Sequence, residues 1–180
     1  MIEKQLFYHC QQLKSVIFSN ESFVEYIRNR SFSDCKNLES IIIPKSVKSI
    51  GAKAFLNCLL IESFSLPPLI KSINEFTFCG CMELKSFIIP EDISLCFIGV
   101  QAFAYCYKFE SFTIPKDIDI IGERAFYQCK ELHNFTYYGI KEPQMFESPF
   151  SECKNLNEIY VTKLYQAYSF CGIKVKVINL

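Results

Sequence analysis

The sequence contains no tryptophan, two histidines, six glycines and no excess of charge of either sign. Each shortage removes a class of function. Nineteen basic residues balance nineteen acidic ones, so no net field draws the chain to nucleic acid or to an anionic membrane surface. No apolar run reaches the roughly 18 residues of a membrane-spanning helix. The opening MIEKQLFYHCQQLKS interleaves charged and polar residues with apolar ones and lacks the apolar stretch of a signal peptide. There is no glycine-rich phosphate loop, no His-Glu-x-x-His segment and no paired-carboxylate pattern. Nucleophilic catalysis needs a nucleophile, a base and a group that orients the base. His9 stands beside Cys10, where neighbouring side chains point different ways, and His133 follows an apolar strand position. These residues predict rim histidines, no cofactor, no metal and no enzyme.

What the sequence does have is half apolar residues, with eighteen Phe, ten Tyr and ten Cys. Its 180 residues suffice for one domain, 1–180, with a sizeable core. Aligned on phenylalanine, it repeats: FSDCKNLESIIIPKSVKSIGAKA, FLNCLLIESFSLPPLIKSINEFT, FCGCMELKSFIIPEDISLCFIGVQA, FAYCYKFESFTIPKDIDIIGERA. Looser copies open at both ends, so that repeats begin at Phe7, Phe32, Phe55, Phe78, Phe103, Phe126 and Phe150. The spacing stays between 23 and 25 residues throughout.

Each unit follows F-x-x-C-x-x-L-x-x-h-x-h-P, where h is apolar, and several close on Ile-Gly and Ala-Phe. Leu38, Ile41 and Ile43 fit the inward side of a strand, and Ser40 and Ile42 the outward side, with the period of two. Pro44 has no N–H for a ladder and ends the strand. Val47 and Ile50 turn the chain back under the core, and Gly51 is expected to permit a tight bend. One unit buries too little to offset its ordering entropy, whereas stacked units share a continuous core. The period is that of a leucine-rich repeat. The F-x-x-C-x-x-L…IP…IG…AF pattern resembles the BspA-type leucine-rich repeats of bacterial adhesins and protist surface antigens, over nearly the whole chain. The fold class is therefore a leucine-rich-repeat solenoid, a right-handed superhelix. It carries one curved parallel β-sheet on the concave side, with short helical turns and irregular segments on the convex side. The resemblance implies protein binding, adhesion and a cell-surface location without catalysis. The absence of an export signal in this sequence leaves a cytosolic signalling or cytoskeletal scaffold as the alternative, and the many cysteines leave a thiol enzyme as a remote one.

Seven cysteines fall in register: Cys10, Cys35, Cys58, Cys81, Cys106, Cys129 and Cys153. Equivalent positions on adjacent turns stand about 4.7–4.9 Å apart with parallel side chains, whereas a disulfide needs converging Cβ atoms roughly 3.5–4.5 Å apart. The ladder reads as small buried hydrophobes. Cys79-Gly80-Cys81 lacks the spacing of a zinc or redox pair. Glycosylation sequons begin at Asn20, Asn29 and Asn134, of which Asn134 falls on the outward strand face.

A protein ligand, with no nucleic acid and no membrane insertion, is the expected partner. The outward strand positions are its natural seat: Ser40, Ile42, Ser63, Ser65, Ser86, Ile88, Ser111, Thr113, Asn134, Thr136, Glu158 and Tyr160. Small hydroxyls and Ile are also what a stacked parallel sheet tolerates for packing alone. Glu39, Glu62, Lys85, Glu110 and His133 border the stripe as a polar rim. Expansions near Glu21 to Arg30 and Ser94 to Phe97 predict loops, the second with an unusually apolar Leu95-Cys96-Phe97. The alternation of Lys174 to Ile178 suits a final half-buried strand within a C-terminal cap, 164–180. The first strand, around Leu13 to Phe18, has no such cap, and its open edge invites pairing, self-association with a second copy included.

Overall fold

The structure, a computed structural model, describes residues 1–19 and 21–178. Asn20, which opens the first sequon, lies outside the described residues. Among the described residues fourteen short strands follow one another: β1 (Ser15–Val16), β2 (Tyr26–Ile27), β3 (Ser40–Ile41), β4 (Ser49–Ile50), β5 (Ser63–Ser65), β6 (Ser72–Ile73) and β7 (Ser86–Ile88). After them come β8 (Phe97–Ile98), β9 (Ser111–Ile114), β10 (Ile120–Ile121), β11 (Asn134–Tyr137), β12 (Glu158–Thr162), β13 (Ser169–Phe170) and β14 (Ile173–Ile178). All pairings between coils are parallel, as expected when equivalent segments of successive turns stack.

Two ladders run through the coils. The main one stacks β1 with β3, β5 with β7, and β9 with β11, β12 and β14, with Ser15 opposite Ser40, Ser63 opposite Ser86, and Ser111 opposite Asn134. From β3 to β11 its inward residues are buried and its outward ones exposed, apart from the half-buried Thr136, so the period of two holds through these coils. The second ladder takes β2 with β4, and β6 with β8 and β10. It is a finding beyond the single sheet expected. The Ser-Ile and Ile-Ile pairs before the Gly position are too short to read as strands, yet Ile27, Ile50, Ile73, Ile98 and Ile121 bury into the core from it. The apolar Leu95-Cys96-Phe97 loop is corrected in the same way: Leu95 is buried, and Phe97 begins β8.

The expected helical turns do not form: no helix occurs among the described residues. In the segment from Gly51 to Cys58 the amides of Ala54, Leu56 and Cys58 donate three residues back, to Gly51, Lys53 and Phe55. The amides between them, Lys53, Phe55 and Asn57, donate to Glu75, Thr77 and Cys79 of the next coil at 2.8–3.0 Å. Half the donors thus leave the segment, whereas an α-helix keeps them inside. Lys53 and Asn57 adopt positive φ, near 60° and 57°, which marks type II turns and breaks any helix. The same two positions are left-handed in other coils: Arg30 with Asp34, Phe76 with Gly80, and Arg124 with Gln128.

The core is an aromatic stack. The rings of Phe7, Phe32, Phe55, Phe78, Phe103, Phe126 and Phe150 stack nearly parallel, centroids 5.1–5.5 Å apart. A second column, Phe64, Phe87, Phe112 and Phe135, meets it edge-on or tilted, the geometry that the ring quadrupole favours. Beside it runs the thiol ladder. The Sγ of Cys35, Cys58, Cys81, Cys106, Cys129 and Cys153 donates to the Phe carbonyl of the preceding coil at 2.9–3.3 Å. The cysteines are therefore more than small hydrophobes: each thiol also bridges two coils.

Gly51 needs a different explanation from the bend expected. Its φ is not in the left-handed region; instead a Cβ there would stand 2.6 Å from the backbone nitrogen of Asn29. At Gly122 it would stand 2.4 Å from the nitrogen of Val100. Close approach of coils requires these glycines.

Candidate functional site

The outward face of the main ladder is built from the strand positions that cannot point inward. Ser15, Ser40, Ser63, Ser86, Ser111 and Asn134 form one exposed column, which Glu158 continues half-buried. The neighbouring column is more apolar: Ile17 is 90% exposed, Ile42 82% and Ile88 56%. Ser65 and Thr113 are exposed too, and Thr136 and Tyr160 are half-buried. A wall of prolines, Pro44, Pro67, Pro68, Pro90 and Pro115, stands where each strand ends. A proline ends a strand because it lacks the donor, and the repeat therefore raises this wall at the same place in four successive coils, after β3, β5, β7 and β9.

Floor and wall enclose two open grooves that share Pro90. The larger, of 1290 Å³, runs over Ile17, Ile42, Ser63 and Ser65 and is bordered at one side by Phe18, Ser19, Glu21, Ser22 and Phe23 of the expanded first unit. The smaller, of 520 Å³, runs over Ser86, Ile88, Ser111 and Thr113 and ends at Tyr138. Seven of the twelve residues expected on the binding face thus line grooves. Ser40, Asn134, Thr136, Glu158 and Tyr160 share the face but lie outside them.

Phe23, 87% exposed at the groove rim, and the proline wall did not figure among the sequence candidates. The signal for Phe23 was the two-residue expansion around it; the prolines were read as strand terminators only.

The polar rim pairs across coils, with Lys85 to Glu62 at 3.1 Å and Lys108 to Glu131 at 2.8 Å. Both pairs are exposed, and such bridges contribute little beyond register. His133 is exposed, its Nδ1 2.8 Å from the Glu131 carbonyl. His9 is exposed beside Gln11. No group of three His, Cys, Asp or Glu side chains converges among the described residues. Burial pushes the thiols of Cys58, Cys81, Cys106 and Cys129 well up, and that of Cys35 to about 11, so these sulfurs stay protonated donors rather than nucleophiles.

Stacked coils, parallel ladders and an open, rigid outer face define a repeat solenoid of the leucine-rich class. The sequence matches the model of the BspA type leucine-rich repeat region, in six copies over residues 1–133 and 88–180. The chain belongs to that family.

Among solved structures it is similar to a leucine-rich repeat protein of Bacteroides ovatus, at 24% identity and a TM-score of 0.55, over 97% of this chain and 56% of that one. It thus spans little more than half of the Bacteroides protein's length. A leucine-rich repeat protein of T. pallidum is 25% identical with a TM-score of 0.69, over 83% of this chain and 72% of that one. A leucine-rich cell surface protein of Faecalibacterium prausnitzii is 16% identical with a TM-score of 0.52, over 98% and 76%. No curated protein matches the sequence.

Proposed function

We propose that the chain is a protein-interaction module of adhesin type, binding a protein ligand along the outward face of its main ladder. The observation that carries this reading is the run of two grooves, floored by exposed Ile and small hydroxyls and walled by proline. An extended apolar surface on a rigid scaffold is costly to leave in water, and contiguous patches of this kind mark interaction sites. The absence of charge along the floor suits a partner segment that is itself apolar or weakly polar. The Faecalibacterium neighbour is described as a cell surface protein; surface exposure of the present chain is our reading.

A second reading, a scaffold inside cells, is favoured by one observation. Six thiols are committed as protonated donors to carbonyls, a state that a reducing compartment maintains.

The test compares wild type with a Ser86→Arg, Ser111→Arg variant on cell surfaces and on immobilised matrix proteins, with folding checked by circular dichroism. Binding by wild type and its loss by at least about tenfold in the folded variant, roughly 1.4 kcal/mol, is the expected result. Equal binding by both proteins overturns the outward face as the site. Capture of cytosolic proteins in place of surface ones moves the assignment to the scaffold.

A further inference from the structure

The larger groove differs from the smaller one in carrying its own plug. Phe23 projects from the expanded first unit at the groove rim, while Ile17 and Ile42 lie bare on the floor beside it. A projecting aromatic and an apolar recess on one surface are the two halves of a self-complementary contact. The geometry points to a twofold-symmetric homodimer in which Phe23 of each copy enters the groove of the other, between Ile17, Ile42 and the proline wall. The inference rests on the outward face being a docking surface, and on nothing about a foreign partner.

Charge and area favour a second copy as the occupant. Among the described residues only two charged ones line this groove, Glu21 and Lys45, one of each sign. In a twofold arrangement residue i meets j while j meets i. In the arrangement inferred, Glu21 is set against the partner's Lys45, and the twofold axis makes the pair twice. Ile17, Phe23 and Ile42 are 90%, 87% and 82% exposed, an apolar area that two such patches meeting face to face would take out of water together. Phe23, central and aromatic, is the residue type that dominates such contacts.

Sedimentation equilibrium on the full chain tests this. Wild type is expected to be dimeric at micromolar concentration. Phe23→Asp should raise Kd by about 30-fold or more, and because Phe23 is exposed the variant should keep the wild-type circular dichroism spectrum. Glu21→Lys or Lys45→Glu alone should weaken the dimer several-fold, and the two together should restore it, which a merely local effect on folding would not do. A wild type that stays monomeric overturns the homodimer. So does a dimer that Phe23→Asp leaves intact, which would place the contact elsewhere, the open first strand being the obvious site. A monomeric wild type that binds cell surfaces through the groove, and loses that binding in Phe23→Asp, overturns it in favour of a foreign apolar segment. The Ser86→Arg, Ser111→Arg test reads the other groove, so this inference and the proposed function fail separately.

Discussion

A single methyl group decides how closely two coils approach at Gly122. Its Cβ would lie 2.4 Å from the nitrogen of Val100 and 2.5 Å from the carbonyl carbon of Gly99. Both are backbone atoms, and neither can rotate away. Gly122→Ala should cost about 1–3 kcal/mol, as overpacking does, and lower Tm by about 2–4 °C for each kcal/mol in a chain of this size; a thermal melt checks it. An unchanged Tm would mean that the coils have slack at this level. The left-handed residues illustrate the same scale. Lys53, Gln101 and Arg124 hold a conformation that ordinarily costs an L-residue about 1 kcal/mol or more, and nothing in their identity announces it. Asp34, Asn57 and Gly80, by contrast, are types that tolerate it. The turns of the convex side were therefore only half legible: the alternation is set by where the amides find carbonyls in the next coil, not by local preference.

Among elements, the strands of the main ladder were legible because Leu38, Ile41 and Ile43 alternate with Ser40 and Ile42 and recur at a fixed interval. The second ladder was not, since two residues per coil show no period, and β4 or β6 becomes a strand only when its neighbour stacks on it. The outward columns were readable for the same reason as the main ladder. The grooves needed the structure, because the proline wall and Phe23 meet the floor only in space. The thiol ladder carries its own prediction. Burial raises the pKa of Cys35 to about 11 and of Cys58, Cys81, Cys106 and Cys129 well above the ordinary value near 9. The folded state holds these protons more tightly than the unfolded one, so their stabilisation is complete below pH 9. It is lost as pH climbs from about 9 through 11 and beyond. Urea midpoints should therefore be flat from neutrality to about pH 9 and fall above it. With the Cys35, Cys58, Cys81 and Cys106 thiols replaced by alanine, the overall stability drops but the alkaline fall should become shallower. A midpoint that falls no less steeply in that variant would remove the thiols as its cause.

On the scale of the whole molecule, each coil touches only its neighbours, and stability is a sum of coil and interface contributions. Phe78, fully buried, stacks on Phe55 and Phe103 and also meets Phe64 and Phe87 edge-on. Phe7 stacks on Phe32 alone and is only half-buried. Phe78→Ala should cost about 3–5 kcal/mol and divide the unfolding transition, because it weakens two interfaces at once. Phe7→Ala should cost clearly less and leave one transition. Hydrogen exchange on the two variants distinguishes a split stack, with separate protection on either side of Phe78, from uniform loosening, which would argue against coil-by-coil energetics.

The alternate amides of each turn segment, those of Lys53, Phe55 and Asn57, point to the following coil. Under tension between its ends the molecule is therefore loaded along its hydrogen bonds, one coil boundary after another in series. The weakest boundary gives way first and the rest stay closed. Each rupture frees one coil of 23 to 25 residues, which pays out about 80 Å of slack when drawn taut. A solenoid loaded this way lengthens in steps and lets the force drop between them, where a stiff rod would carry the whole load until it broke.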